Sequence, residues 1–446
     1  MRLNLIWTTS TEQVHLTQSE SYKFGPDDGT ENSVVNLYPS IRYQVFEGFG
    51  GALTESSGYI FSKMDEESRQ RLLDVYFKPS EMNYQHVRIP LDSCDFSLGH
   101  YEAMSNPDDV EFNSFNLARL DKYIFPLLNA AQKTAGRELD IMLSPWSPPS
   151  FMKTNDDRNH GGSLRENYQG MWAEYICRYI TAYRKKGYRV RRISLQNEPK
   201  AAQPWDSCVY TAKQERQFLE DFLHPALIRN GLEDMEVFIW DHNKERILER
   251  AQAVIGRNSN HLVSGIAFHW YSGDHFEELD LFRECYPDKL LISSESCVEY
   301  SKYDKQEPCI NAGRLAHDMI GNLNHGMNAF YDWNILLDEN GGPNHTGNFC
   351  EAPFMYDIQN KNLIEQLSLK YYGHFCRYIK QGARRIAFSK YTDQLEMTAF
   401  QNLDNTVAGV FLNRTELVLP IVIRVDGQMA SIKVEPKSIA TFLIEK

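Results

Sequence analysis

An α/β fold is expected for this chain: a (β/α)8 TIM barrel with an appended antiparallel β-sandwich domain built from both termini. Three observations carry that expectation. From about residue 43, short apolar runs that read as buried parallel strands alternate with segments of helical period. Eight such runs fill roughly 290 residues, near the ~250 typical of a closed barrel. After about Gln381 the rhythm changes to an alternation of apolar and polar residues broken by turn residues, the pattern of an antiparallel sheet.

Taken in order, the leading stretch to about Arg42 is polar with short β-type runs such as Ser33–Tyr38. It is too short to fold alone and is assigned to the sandwich. The expected domains are therefore 1–42, 43–380 and 381–446. The barrel strands are read at Phe46–Leu53, His86–Leu91, Leu139–Trp146, Val190–Asn197, Met235–Asp241, Gly265–Tyr271, Leu290–Ser296 and Asn328–Asn334. Helices are read at Glu66–Phe77, Asn116–Thr134, Asn167–Lys185, Ala212–Arg229 and Gly313–Leu323. A doubly wound open sheet would share this alternation. Polar and aromatic residues gather at the C-terminal ends of nearly every strand, where a barrel places its site.

Composition narrows the function. With 47 basic and 60 acidic residues the net charge is −13, a poor counterion for nucleic acid or anionic membranes. No apolar run approaches the roughly 18 residues of a spanning helix. The opening residues Met1–Thr9 lack the apolar core of a secretory signal, so a cytoplasmic protein is expected. The 8 cysteines show no C-x-x-C spacing, which favours mostly reduced, buried thiols over a zinc framework. The 24 Tyr, 24 Phe and 7 Trp suit sugar faces but equally fill a large core.

Two strand ends present carboxylates, Glu198 just past strand four and Glu295 at the end of strand seven. Paired at one barrel mouth, they can divide acid and nucleophile work on a glycosidic bond. Arg88 at the end of strand two could steady an ionised carboxylate, and Asp95 beyond it could accept sugar hydroxyls. Trp146 and Trp333 offer indole rings for stacking. The Gly-rich segment Asp338–Asn344 lacks the Gly-Lys-Ser/Thr of a phosphate loop and carries two acids. No lysine stands where a Schiff base would need it. His242, His269 and His275 lack metal-ligand spacing, so neither a metal nor a cofactor is expected.

These residues resemble glycoside hydrolase family 30, the glucosylceramidase-like retaining β-glycosidases. The likeness runs in order through Phe46–Ala52, Arg88–Asp95, Ser144–Asn155, Gln196–Pro199, His269–Tyr271, Ser294–Cys297 and Asp332–Asp357. The resemblance implies that Glu198 is the acid/base and Glu295 the nucleophile. It implies that Asn197 binds the sugar 2-hydroxyl and that Tyr271 and Arg88 position Glu295. Asp95, Trp146, Trp333 and Asn348 would line the pocket for the terminal sugar. His345-Thr346 departs from the Trp of many relatives, which places the aglycone side in question.

The leading expectation is a retaining exo-acting β-glycosidase, with β-glucoside first and xylose, fucose or galactose as other glycons. An endo-β-1,6-glucanase and a non-catalytic carbohydrate-binding protein are the alternatives. The expected partner is a carbohydrate substrate, without nucleic acid or integral membrane association; the oligomeric state stays open.

Overall fold

The computed structural model describes residues 1–9 and 17–445. Residues 10–16 of the leading stretch lie outside the described residues. Eight parallel strands close into a barrel: β1 (Gly48–Ala52), β2 (His86–Leu91), β3 (Asp140–Pro145), β4 (Val190–Ser194), β5 (Glu236–Asn243), β6 (Gly265–His269), β7 (Leu290–Glu295) and β8 (Ala329–Asp332). Each strand pairs with its neighbour in sequence, and β8 closes on β1 with Ala329 opposite Gly48. Gly50 is required there, because a Cβ would stand 2.4 Å from the carbonyl oxygen of His86.

Several observed strands are shorter than the apolar runs. Val190–Asn197 ends its ladder at Ser194, yet Leu195, Gln196 and Asn197 remain buried. Burial, which the apolar pattern reports, continues past the last residue of the regular ladder. Inside the barrel, Met142, Phe238, Ala267, Ile292, Ala329 and Tyr331 form one packed layer. Below it, the fully buried Arg192 pairs with Glu47 and with Glu236 (2.9 Å), closing the N-terminal face with charge.

The helices follow the expected order, and two of them are broken by proline. Asn116–Thr134 divides into Ala118–Lys122 and Ile124–Ala135 at Tyr123. Pro126 has no N–H to donate back to Lys122, so the second helix starts afresh just before it. Ala212–Arg229 is helical at Ala212–Gln217 and His224–Arg229, with a π-turn at Phe218–Leu223 between them. Pro225 likewise cannot donate back to Asp221, and the bonding slips by one residue ahead of it.

The second body is a single ten-stranded sheet built from both ends of the chain. Arg2–Thr9 lies between Thr17–Lys23 and Ser438–Glu445, while Val34–Val45 pairs with Arg384–Lys390. It is antiparallel except where Leu419–Val425 runs parallel to Val34–Val45. The sheet encloses its own core of Leu5, Leu37, Met397, Phe411, Ile421 and Phe442. His374, on the helix Leu367–Cys376, joins the two bodies by contacts of 2.9 Å to both Thr8 and Thr441. Burial holds its imidazole down at about 3, so it meets them as a neutral ring. The cysteines form no disulfide among the described residues; most are buried, while Cys285 is exposed and Cys309 half-buried. No described helix is long and apolar enough to cross a membrane.

Candidate active site

β4 releases the chain at Ser194, and the following residues cross the barrel mouth. The Asn197 amide donates to the Pro145 carbonyl (2.8 Å) and the Glu198 amide to the Asp241 carbonyl (2.9 Å). Glu198 sits at φ 48°, a left-handed conformation that costs a non-glycine residue energy and persists only where its surroundings enforce it. Its carboxylate accepts from Gln203 Nε2 (3.1 Å) and lies 3.3 Å from His269 Nδ1.

β7 delivers Glu295 through an irregularity in register. Phe268 faces Ser293 while His269 faces Glu295, which leaves Ser294 as an extra residue. Both Ser294 and Glu295 consequently reach the interior. Ser294 Oγ donates to Asp241 Oδ1 (2.6 Å), and Glu295 accepts from Arg88 Nη1 (2.6 Å) and the Tyr271 hydroxyl (3.0 Å).

Arg88 is the hub beneath the mouth, fully buried. It donates to Ser144 Oγ (3.1 Å), Asn197 Oδ1 (2.8 Å) and Asp241 Oδ2 (2.9 Å) besides Glu295. Its guanidinium carbon lies 4.7 Å from the ring centre of Trp146 and 5.4 Å from that of Trp333, a cation–π arrangement. The two indoles stack nearly parallel, 5.2 Å between centroids.

Eight of the nine residues expected at the site line one narrow cavity of about 110 Å3: Asp95, Trp146, Asn197, Glu198, Tyr271, Glu295, Trp333 and Asn348. Arg88 lies under its floor. Asp95 accepts from Asn348 Nδ2 (3.3 Å) and Asn344 Nδ2 (3.4 Å). Burial and the nearby charge of Glu295 push its carboxyl up to about 8, against the pull of Asn348.

Sequence reasoning missed Asp241, Gln203 and Trp205, and considered His242 and His269 as metal ligands without assigning either a part in the reaction. Strand alternation hides Asp241: Trp240 and Asp241 stand at φ 72° and 49°, with Asp241 the extra residue opposite β6. The bulge turns Trp240 outward over Arg250 and swings Asp241 into the barrel.

One proton dominates the electrostatics. Burial disfavours the cationic form of His269, but the charge of Glu295 and the contacts with Asp241 (3.2 Å) and Glu198 outweigh it and raise the ring to about 9. Burial likewise works to raise Glu198; the His269 contact and the charge of His242 overcome it and draw Glu198 down to about 2. Asp241 is buried too, yet Arg88 and His269 hold it well below the carboxylate range. Glu295 is displaced upward by burial and by Glu198, while His269 and Arg88 pull it back. At neutral pH the free site thus holds protons on Asp95 and on His269, and the one beside Glu198 is that of His269. Glu198, His269 and Glu295 each place a donor atom within 4.8 Å of the others. Arg88 already supplies a cation there, so the cluster shares a proton rather than seating a metal.

A (β/α)8 barrel whose mouth brings two carboxylates and two stacked indoles into one cavity is the arrangement of a glycoside hydrolase. The chain belongs to glycosyl hydrolase family 30: residues 46–379 match the model of the family's TIM-barrel domain and residues 382–442 that of its beta sandwich domain. It is 30% identical to the lysosomal acid glucosylceramidase of Mus musculus over 409 residues, covering 87% of this chain and 79% of the relative. An endo-1,6-beta-D-glucanase of Neurospora crassa is 27% identical over 368 residues, covering 80% of this chain and 75% of the relative. Among solved structures, SrfJ from Salmonella typhimurium superposes with a TM-score of 0.95 at 36% identity, each chain covered in full.

Proposed function

We propose that this hydrolase removes a terminal β-linked sugar from short or aryl glycosides, β-glucosides first, by double displacement through Glu295 and Glu198. The observation that carries the reading is that one carboxylate oxygen of Glu198 lies within 4.8 Å of one of Glu295, so the two groups face each other at short range. Retaining enzymes hold the pair ~5–5.5 Å apart, whereas inverting enzymes need ~6.5–9.5 Å to admit a water between.

In the first step a Glu295 oxygen bonds the anomeric carbon as the bond to the leaving oxygen breaks. Glu198 gives that oxygen its proton. The proton reaches Glu198 from His269 across 3.3 Å as the substrate displaces solvent from the mouth. In the second step Glu198 takes a proton from water, the water oxygen bonds the anomeric carbon, and Glu295 leaves. Arg88 and Tyr271 hold Glu295, Asn197 meets the 2-hydroxyl, and Asp95, Asn348 and the two indoles receive the remaining sugar. The narrowness of the cavity supports attack at a chain end.

A second reading, cleavage within a β-1,6-glucan, has one observation in its favour. A wider cleft of about 750 Å3, lined by Tyr300, Tyr303 and Phe349, adjoins the pocket at Lys302. Initial rates on nitrophenyl β-glycosides of glucose, xylose, galactose, fucose and glucuronic acid test the first reading. Release from the glucoside is expected. Silence across the panel with release of oligomers from polymeric β-1,6-glucan would replace it with the second.

The shared proton sets a pH dependence. Loss of the proton from the His269–Glu198 pair removes the acid, so kcat/KM is expected to fall on the alkaline side with an apparent pKa near about 9. His269→Gln leaves Glu198 to hold the proton alone, and that limb should move to lower pH. An unmoved limb would assign the alkaline titration elsewhere.

A further inference from the structure

Away from the reacting carboxylates, three side chains that lie far apart in sequence meet at the pocket rim. His100 comes from the loop after β2, Asp206 from the loop after β4 and His345 from the loop after β8. One donor atom of each lies within 4.8 Å of the other two. His100 Nδ1 is 3.3 Å and His345 Nε2 3.7 Å from Asp206 Oδ2. Ligands held ~2.0–2.1 Å from a tetrahedral Zn2+ stand about 3.3 Å apart, so this spacing is close to that of donors around an ion.

The hydrogen bonding leaves the centre of this group unfilled. Asp206 is 1% exposed. Its Oδ1 accepts from Arg158 Nε (2.7 Å) and Ser93 Oγ (2.9 Å), while its buried Oδ2 has no well-aligned hydrogen bond and faces His100 Nδ1 at 3.3 Å, whose imidazole pKa it raises. His345 Nδ1 lies 3.1 Å from the Ser97 carbonyl oxygen. In the neutral ring the N–H that this carbonyl needs sits on Nδ1, which leaves Nε2 as a lone pair, buried and without a hydrogen bond. Two acceptors therefore face each other out of water, an arrangement that a cation between them resolves.

The surroundings are prepared for the same occupant. His100 Nε2 lies 3.3 Å from the Asn159 amide nitrogen, and Asn159 Oδ1 is buried without a partner. With that amide turned over, His100 Nε2–H donates to Asn159 Oδ1 and Nδ1 is left bare toward the centre. Arg158 does not cancel the charge of Asp206, because Glu102 (3.3 Å) and Asp92 (3.8 Å) also balance it. His100 is the exposed member and opens the site to solvent.

We propose that His100, Asp206 and His345 bind one divalent transition ion, with Zn2+ the best match for two imidazoles, one carboxylate and a fourth position open to water. The ion ties together the three loops that carry Asp95, Trp205 and Asn348. Its binding is independent of the reaction assigned to Glu198 and Glu295.

The test uses the full chain, stripped with a chelator and then dialysed against Zn2+, with bound metal counted and Co2+ absorption read in parallel. One ion per chain is expected in the wild type, in Cys285→Ser, which removes the exposed thiol, and in Glu295→Gln, which breaks up the cluster at the reacting carboxylates. His345→Gln, which keeps a donor for the Ser97 carbonyl, and His100→Gln should each weaken binding at least about 10-fold and abolish any Zn2+-dependent rise in Tm. Unchanged affinity in both histidine variants, loss of the ion in Glu295→Gln instead, or no stoichiometric binding by the wild type would overturn the proposal.

Discussion

Glu295→Gln is expected to lower kcat on every substrate by on the order of 10⁴-fold or more, because the carboxamide cannot form the glycosyl-enzyme. The change is nearly isosteric, and the surroundings can accept it. The amide oxygen takes the hydrogen bond of Arg88, and the amide nitrogen turns to the Tyr271 hydroxyl, which has Cys297 Sγ as a second contact at 3.4 Å. Arg88 keeps Asp241 and Asn197, so no buried charge is left without a partner. The fold should therefore survive, with unchanged circular dichroism beside the lost turnover. His269 loses the anion that does most to keep it protonated, so its pKa should fall, visible as a shifted imidazole titration in NMR. Retention of more than about a hundredth of the wild-type kcat would assign the attack on the sugar to another group.

Much of this architecture was legible because buried parallel strands leave continuous apolar runs, and because a barrel site lies where those runs end. Glu198 and Glu295 were found by that rule alone, each being the first carboxylate at the C-terminal end of an apolar run. The same rule missed Asp241. Alternation of the strand would put Trp240 inside and Asp241 outside, and only two left-handed residues exchange them. A bulge of that kind leaves no mark in a pattern of apolar spacing. The helix Leu367–Cys376 escaped notice for a different reason. Nine of its ten residues are buried, so it shows no polar face and no period of 3.6. The breaks at Tyr123 and ahead of Pro225 could have been read, since both prolines are visible in the sequence. The group at His100, Asp206 and His345 could not, because only barrel closure brings the loops after β2, β4 and β8 together.

Glu198→Gln should separate the two chemical steps. With a nitrophenyl glycoside the leaving group departs without help from a proton, so the first step survives and the glycosyl-enzyme forms. Its hydrolysis needs a base, which glutamine cannot supply. The expected record is a burst of about one nitrophenol per site followed by turnover slowed ~10²–10⁴-fold, with KM falling alongside kcat as the intermediate accumulates. Azide, a nucleophile that needs no base, should restore release by occupying the place of water. The product would be a glycosyl azide of retained configuration. Glu295→Gln should not respond in that way, because it forms no intermediate for azide to intercept. The contrast also tests the proton stored on His269. In Glu198→Gln the carboxylate that receives that proton is gone, so the burst rate on activated substrates should show no alkaline limb at about 9, whereas wild-type kcat/KM on an unactivated glycoside should show it. Equal loss by both variants on an activated substrate, with no rescue by azide, would mean that the two carboxylates do not divide acid and nucleophile roles. A burst confined to Glu198→Gln, in contrast, requires one carboxylate that bonds the sugar and another that only moves protons. Of the two, Arg88 and Tyr271 hold Glu295 firmly, whereas Glu198 shares a mobile proton with His269.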